Sequence, residues 1–274
     1  MFVVSLLVIG VVCYITSGRE LPAEVVDHLN RLVPEDMLIS ERSLALAFIA
    51  GMFVAGTPLH RAVRYLSTVV HELGHALSAG VLGGRPKQIT INLNASGLAT
   101  YYPPPTWGRL RASIVSFAGY PAPAVASVAA VRAVQMGHPK AWFAFSAGTL
   151  ALSILLLIRN FWGFVWTAGV VAGSYYGARH LDVEILGWAV GAVAGYLALE
   201  GYRNAWQQLT IVRLSSGSGC DAEMVAHWWR TNAKFVGWLH LFTVLGISAV
   251  ATKMAVGPYW NEIVDWVQEY TDTK

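Results

Sequence analysis

The sequence predicts an all-α polytopic membrane protein with six to eight transmembrane helices and a small β-hairpin. Of its 274 residues, 55% are hydrophobic and only 13% are charged, whereas a soluble domain usually carries about 25% charged residues. The mean hydropathy of +0.49 is correspondingly high. This composition excludes intrinsic disorder, a coiled coil, a disulfide-stapled secreted module and an ordinary soluble enzyme.

Apolar runs separated by polar breaks give the candidate spans, since a span needs about 20 residues that are mostly apolar. They lie near residues 2–17, 43–57, 65–83, 112–134, 141–158, 160–177, 183–200 and 235–255. The run at 43–57 is marginal in length, and the two runs that meet at Arg159 and Asn160 are predicted to be bent or re-entrant. No basic region precedes the first run, which we therefore expect to be a retained span.

Alternating side chains follow the third candidate span. Ile89, Ile91 and Leu93 alternate with polar residues before a turn at 95–97 and a second run at 98–102. Period-two alternation around a turn that contains glycine is typical of a β-hairpin. Pro103 begins a proline run that ends the second strand, because proline cannot continue the hydrogen-bond ladder.

An H-E-x-x-H motif stands inside the third candidate span, at residues 71–75. Positions i and i+4 share one face of a helix, so His71 and His75 can offer two imidazole nitrogens to one zinc ion. Glu72 lies beside them, where it can take a proton from a metal-bound water. A charge near mid-bilayer costs on the order of 3 kcal/mol. We therefore predict a metal site here rather than polar residues that only hydrogen-bond across helices or relay protons.

Four features of the chain together resemble the site-2 protease family of intramembrane zinc metallopeptidases, in a divergent bacterial branch. They are the motif at 71–75 within a span, the hairpin after it, the segment 118–123 that opens the next span, and Arg159-Asn160 with Gly163. The resemblance runs from about Leu66 to about His227. It implies hydrolysis of peptide bonds within or beside the membrane, with His71 and His75 as zinc ligands and Glu72 as the general base.

The third zinc ligand departs from the pattern of that family. Typical members take it from the aspartate of an Asp-Gly pair on a later span, and no Asp-Gly pair occurs in this sequence. A catalytic zinc ion needs three protein ligands and one open position for water. Asp221 is the first candidate, because the branch that the sequence resembles has an Asp-Ala pair in that region. An N-terminal helix cap suits Asp221 equally well, and Asp182 and His180 are the second candidates.

Asn160, Ile91 and Leu98 are the candidate substrate contacts. An extended substrate segment is predicted to add a strand to the hairpin at 89–102, because an open sheet edge carries unpaired backbone groups. For Asn160, an interhelical hydrogen bond is at least as good an interpretation. His227 and His240 have no partner at ligand spacing, so we expect structural roles for both.

One membrane domain over residues 1–274 is expected, since no internal repeat or low-complexity tract divides the chain. It would comprise N-terminal spans and an interfacial segment at 1–64, a catalytic core at 65–234, and a C-terminal span and tail at 235–274. Cys13 and Cys220 lie in unlike surroundings, so no disulfide or metal knuckle is predicted. The net charge of +3 is too small and too dispersed for a nucleic-acid partner.

The sequence thus predicts a membrane-embedded zinc metalloendopeptidase in the plasma membrane, with Zn2+ as its cofactor. Its expected partners are a membrane-protein substrate and the lipid bilayer, and the identity of any regulatory membrane partner is open. The alternative is a non-proteolytic membrane subunit or pseudoprotease that binds a partner protein, which the missing Asp-Gly pair motivates. A transporter with a proton path through residues 71–75 fits less well, because the chain lacks the repeats that transporters show.

Overall fold

The computed structural model describes residues 39–214, 217 and 219–272, so the candidate span at 2–17 lies outside the described residues. This part of the chain forms nine α-helices and one two-stranded antiparallel sheet. In chain order they are α1 (Glu41–Val54), α2 (His60–Val81), β1 (Arg85–Ile91), β2 (Gly97–Tyr102), α3 (Arg109–Phe117), α4 (Pro121–Gln135), α5 (Pro139–Leu156), α6 (Phe161–His180), α7 (Val183–Leu214), α8 (Asp221–Trp229) and α9 (Ala233–Asp272). The predictions of a helical protein and of a hairpin directly after the helix with the 71–75 motif are confirmed.

Three helices of the described chain are long and apolar enough to cross a membrane: α5, α7 and the Ala233–Asn261 part of α9. The pair α3–α4 adds a fourth if it counts as one broken span. The 14 residues of α1 are too few for a span. The described residues therefore contain three or four candidate spans, and the predicted count of six to eight is not confirmed.

The run at 112–134, predicted as one span, is bent by 60° between α3 and α4. Pro121 and Pro123 open α4 and have no N–H to donate to the turn before them. The residues at the bend, Gly119 and Tyr120, lie against the histidines of α2. The bend therefore brings backbone, rather than a second continuous helix, next to the 71–75 motif.

A stripe of glycines on α7 lets α1 lie directly against it. A Cβ atom at Gly191 would lie 3.0 Å from the Cβ of Ala47, and one at Gly195 would overlap the carbonyl of Phe48. Small residues at this spacing allow membrane helices to approach closely. Helix α7 also packs on α4 and α9, so it is the central helix that carries polar side chains toward the site described below.

The hairpin is fastened to α2 at its turn. Ala95 adopts a φ of 57°, a left-handed conformation that residues other than glycine adopt rarely. The Thr68 hydroxyl donates a hydrogen bond of 2.7 Å to the Ala95 carbonyl, and the Tyr65 hydroxyl donates to the Leu93 carbonyl. These contacts hold the turn over the middle of α2, where the 71–75 motif lies.

The outer edge of β1 is covered by the chain between α5 and α6. The Ile89 N–H donates to the Leu157 carbonyl at 2.8 Å, and the Arg159 N–H donates to the Ile89 carbonyl at 3.2 Å. The Asn160 side chain completes this edge, since its Oδ1 accepts from the Ile91 N–H at 3.0 Å and its Nδ2 donates to the Ile91 carbonyl at 2.7 Å. Of the two hairpin strands, β2 is therefore the one whose outer edge is not paired with another backbone segment of the described chain.

Candidate metal centre

Two histidines from α2 and one aspartate from α8 converge on one point. The Nε2 atoms of His71 and His75 lie 3.1 Å apart. Asp221 Oδ2 lies 3.3 Å from His71 Nε2 and 3.2 Å from His75 Nε2. Within the described residues, these three form the group of histidine, cysteine and acidic side chains that is placed to hold a metal ion. Asp182 and His180, the other candidates for a third ligand, are exposed at the junction of α6 and α7 and do not belong to the group.

The spacing of the three atoms fits a zinc ion. Bonds of about 2.0–2.1 Å in tetrahedral geometry keep zinc ligand atoms about 3.3 Å apart, and the three observed distances lie between 3.1 and 3.3 Å. Two imidazoles and one carboxylate also leave a fourth position free. This donor set is that of a catalytic rather than a structural zinc site.

The orientation of His75 is fixed by α3. His75 Nδ1 lies 2.7 Å from the Val115 carbonyl, so the ring donates its Nδ1–H there and presents the lone pair of Nε2 to the centre. The His71 ring meets the edge of Tyr120, with ring centroids 4.7 Å apart. Contacts from α3 and from the bend after it thus hold both imidazoles in a ligating geometry.

Asp221 is not the N-terminal cap of α8, so that interpretation of the sequence is wrong. Cys220 takes the cap position, and the Glu223 carboxylate accepts hydrogen bonds from the N–H groups of Gly217 and Gly219 at 2.9 and 2.7 Å. Burial raises the pKa of Asp221, but the adjacent His75 and His71 outweigh burial and hold it well below its usual range. The Asp221 side chain is therefore an ionised carboxylate, the form that binds metal.

Glu72 lies beside the histidines under the hairpin. It is 5% exposed, and the Ala99 N–H of β2 hydrogen-bonds to its carboxylate. A Cβ atom at Gly97 would lie 2.5 Å from Glu72 Oε1, so the absence of a side chain there makes room for the carboxylate. Glu72 and the three converging residues line one cavity of about 400 Å³, whose wall also includes Tyr101, Tyr120 and Leu98.

A comparison with protein families matches residues 44–251 to the model for Peptidase M50B-like proteins. The chain belongs to this family. The match contains the whole centre, from the 71–75 motif to Asp221, and it confirms the predicted membership of the site-2 protease family. No curated protein and no solved structure matches the chain. Membership of the M50B-like family supports a membrane metalloprotease in general.

In this M50B-like protein, the three predicted substrate contacts lie in different places. Leu98 lines the metal cavity and is 58% exposed. The Ile91 side chain is fully buried in the hairpin, and the Asn160 amide is bonded on both sides to the Ile91 backbone. Neither of these two side chains lines the cavity. Within the described residues, the Asn160 side chain bonds to a strand and not to another helix, which differs from the interhelical hydrogen bond that the sequence suggested.

Three residues at the M50B-like centre escaped the sequence analysis: Gly119, Tyr120 and Gln208. Gly119 and Tyr120 belong to the segment 118–123, which was noticed only as a point of resemblance. A glycine two residues before a helix-bending proline is an available signal of close backbone approach. Gln208 lies beyond the predicted span at 183–200, so the sequence carries no local signal for it, and its place at the cavity depends on the packing of α7 against other helices.

Substitution of Gly119 by alanine is expected to weaken zinc binding by about tenfold. A Cβ atom at this position would lie 2.8 Å from His71 Cε1 and still closer to His75 Nε2. The His75 ring cannot withdraw without losing its hydrogen bond to Val115, and the loss of such an outer contact costs roughly 10 to 100-fold in metal affinity. Titration of the zinc-free protein with zinc against a chelator of known affinity measures the effect. Gly148→Ala is the control, since no atom lies within 4 Å of that Cβ position, and equal affinities of the two variants would contradict the prediction.

Proposed function

We propose that this protein is a zinc metalloendopeptidase of the plasma membrane that hydrolyses peptide bonds of membrane-protein substrates within or next to the bilayer. One observation carries the proposal: His71, His75 and Asp221 converge at 3.1–3.3 Å in the cavity that also holds Glu72. The alternative of a pseudoprotease is motivated by the missing Asp-Gly pair. The convergence of Asp221 with the two histidines supports a set of three donors without that pair and therefore favours the peptidase.

The residues of the centre divide the chemistry among them. A zinc ion held by the two histidines and Asp221 supplies a Lewis acid for water and for a peptide carbonyl. Glu72 accepts a proton from the attacking water as the new C–O bond forms, and it delivers that proton to the amide nitrogen as the C–N bond breaks. The buried position of Glu72, at the side of both histidines, suits this transfer.

The open edge of β2 is the proposed binding site for an extended substrate segment. Ile89 and Ile91 direct their N–H groups away from β2, to Leu157 and Asn160. Ala99 faces Ile89 across the hairpin, and Gly97 faces Ile91. In an antiparallel pair, two facing residues that are not hydrogen-bonded to each other both direct their N–H groups away from the partner strand. The N–H groups of Ala99 and Gly97 therefore lie on the outer edge of β2. This outward edge faces Glu72, whose carboxylate accepts from the Ala99 N–H in the structure. A peptide added along β2 would take this N–H over from Glu72 and would lie beside the centre.

Ala99→Pro is expected to weaken the binding of extended peptides by about fivefold to tenfold. The change removes one outward N–H from the β2 edge, and one hydrogen bond contributes about 1 kcal/mol. The measurement is the inhibition constant of a tripeptide hydroxamate compared with that of acetohydroxamate, which has no peptide backbone. Only the tripeptide should bind less tightly. Leu98→Ala, which changes a side chain of the same cavity and no N–H group, separates backbone from side-chain recognition.

Equal affinity of the Ala99→Pro variant and the wild type for the tripeptide hydroxamate would exclude strand addition at β2. A parallel loss for both hydroxamates would show instead that proline had disturbed Glu72, whose carboxylate accepts from the same N–H. The ratio of the two inhibition constants therefore tests whether a peptide backbone binds along the edge of β2.

The proposed function is tested on the full chain purified in detergent, by zinc content and proteolysis together. We expect about one zinc per chain and cleavage of β-casein or of single-span membrane peptides in the same micelles. Cleavage should stop with 1,10-phenanthroline and return when zinc is added back. Protein that binds no zinc even after add-back would overturn the metallopeptidase. Protein that binds zinc but cleaves none of these peptides would favour the partner-binding subunit.

A further inference from the structure

A buried glutamine at the metal cavity has one half of its amide without a partner. Gln208 of α7 is 1% exposed and lines the cavity with His71 and Asp221. Its Oε1 lies 2.8 Å from His240 Nδ1, whereas its Nε2 has no hydrogen-bond partner within the described chain. A buried donor without a partner costs on the order of 1–3 kcal/mol. A side chain that carries this cost beside a candidate active site is a candidate for binding a group that arrives with the substrate.

His240 holds the glutamine in one orientation. The His240 ring is fully buried on α9 and lies between the rings of Phe117 and Tyr120, with centroid distances of 4.2 and 5.0 Å. These contacts fix the plane of the imidazole, and we assign its proton to Nδ1, which then donates to Gln208 Oε1. Because that oxygen is occupied by His240, the amide is fixed with its NH2 group as the free half.

The same aromatic contacts connect His240 to one of the metal ligands. The Tyr120 ring lies against the His240 ring on one side and against the His71 ring on the other, at 5.0 and 4.7 Å. One aromatic side chain therefore separates His240 from a ligand of the metal. Gln208 is bonded to His240 and lines the same cavity as His71.

We propose that Gln208 is a catalytic residue that donates a hydrogen bond from Nε2 to the carbonyl oxygen of the scissile bond, and that His240 is its positioning residue. The inference rests on the proposed function. When water attacks, the new C–O bond forms and the C=O electron pair moves onto the oxygen, which becomes negative. A donor already oriented toward that oxygen stabilises the transition state more than the substrate. Re-formation of the C=O bond then expels the amide nitrogen, which takes its proton from Glu72.

Gln208→Met tests the donor, since methionine has a similar length and no N–H. We expect kcat for cleavage of β-casein to fall by about 10²-fold, with KM and zinc content within twofold of wild type. Gln135→Met is the matched control: the Gln135 amide donates to the Met254 carbonyl at 2.8 Å between α4 and α9, and it does not line the cavity. The proposal is overturned if Gln208→Met keeps kcat within threefold of wild type.

A second measurement needs no turnover. N-phosphoryl-Leu-Trp carries a tetrahedral anionic group that imitates the developing oxyanion, whereas acetohydroxamate is planar. Gln208→Met should bind the phosphoryl dipeptide at least tenfold more weakly and acetohydroxamate within twofold of wild type. Equal binding of the phosphoryl dipeptide to both proteins would overturn the donor role. Failure of the wild type to hold zinc or cleave any substrate would instead overturn the proposed function, so the two failures are distinguishable.

His240 is tested by a pair of variants. His240→Leu removes the donor that holds Gln208 Oε1, and we expect kcat to fall about tenfold with KM unchanged. His240→Asn keeps an N–H near the position of Nδ1 and should restore kcat to within threefold of wild type. Equal losses in both variants, accompanied by equal losses of thermal stability, would make His240 a packing residue and overturn its positioning role.

Discussion

Glu72→Gln is expected to abolish peptide hydrolysis while leaving about one zinc per chain in place. The substitution keeps the size of the side chain, and the amide oxygen can still accept from the Ala99 N–H. It removes the only function that the proposed mechanism asks of Glu72, the transfer of a proton from water to the leaving nitrogen. General-base catalysis contributes about 10² to 10⁴-fold, so we expect kcat to fall by about three orders of magnitude.

Glu184→Gln is the matched control for this experiment. Glu184 is exposed in the first turn of α7 and makes no contribution to the metal cavity. The variant should cleave β-casein at the wild-type rate, with the same zinc content and thermal stability. If Glu72→Gln cleaves at more than a tenth of the wild-type rate, Glu72 is not the general base, and the proton transfer must belong to another group of the cavity.

The parts of the site that the sequence predicted are those set by local geometry. His71 and His75 share a helix face because of their spacing alone, and the hairpin follows from alternation and a turn within about 15 residues. No folded arrangement is needed to infer either. The same local reasoning could not choose a role for Asp221, because a residue at a helix start has the same neighbours in sequence whether it caps the helix or binds a metal.

Asn160 shows a different limit of sequence analysis. A carboxamide carries one acceptor and one donor group, so it can pair with another helix, with a substrate or with a strand. In the structure, the Asn160 side chain takes the place of a neighbouring strand, because it is hydrogen-bonded to both the N–H and the carbonyl of Ile91. That choice depends on the break between α5 and α6 lying beside β1, which is a contact between distant parts of the chain and leaves no local signal.

The predicted span count is not confirmed among the described residues, for a related reason. Apolar runs were counted as spans wherever they approached the required length, but α1 has 14 residues and the run at 112–134 is bent at Gly119–Tyr120. In this protein, the breaks in these helical runs position backbone at or near the candidate metal centre. The bend after α3 supplies the backbone approach at Gly119, and the break after α5 supplies the cover of β1. Polar groups exposed by such breaks are satisfied within the protein, which is the condition for irregular backbone at membrane depth.

Asp221→Asn is expected to lower zinc affinity by at least about 100-fold and to abolish hydrolysis with it. Loss of an outer hydrogen bond to a ligand already costs roughly 10 to 100-fold, and Asp221 is itself within 3.3 Å of both histidine Nε2 atoms. The amide of asparagine keeps the shape of the side chain but lacks the negative charge that balances a divalent cation. Asp182→Asn, an exposed change at the junction of α6 and α7, should retain about one zinc per chain after the same dialysis. Zinc retained by Asp221→Asn but lost from Asp182→Asn would move the third ligand to the other end of α7 and contradict the centre described above.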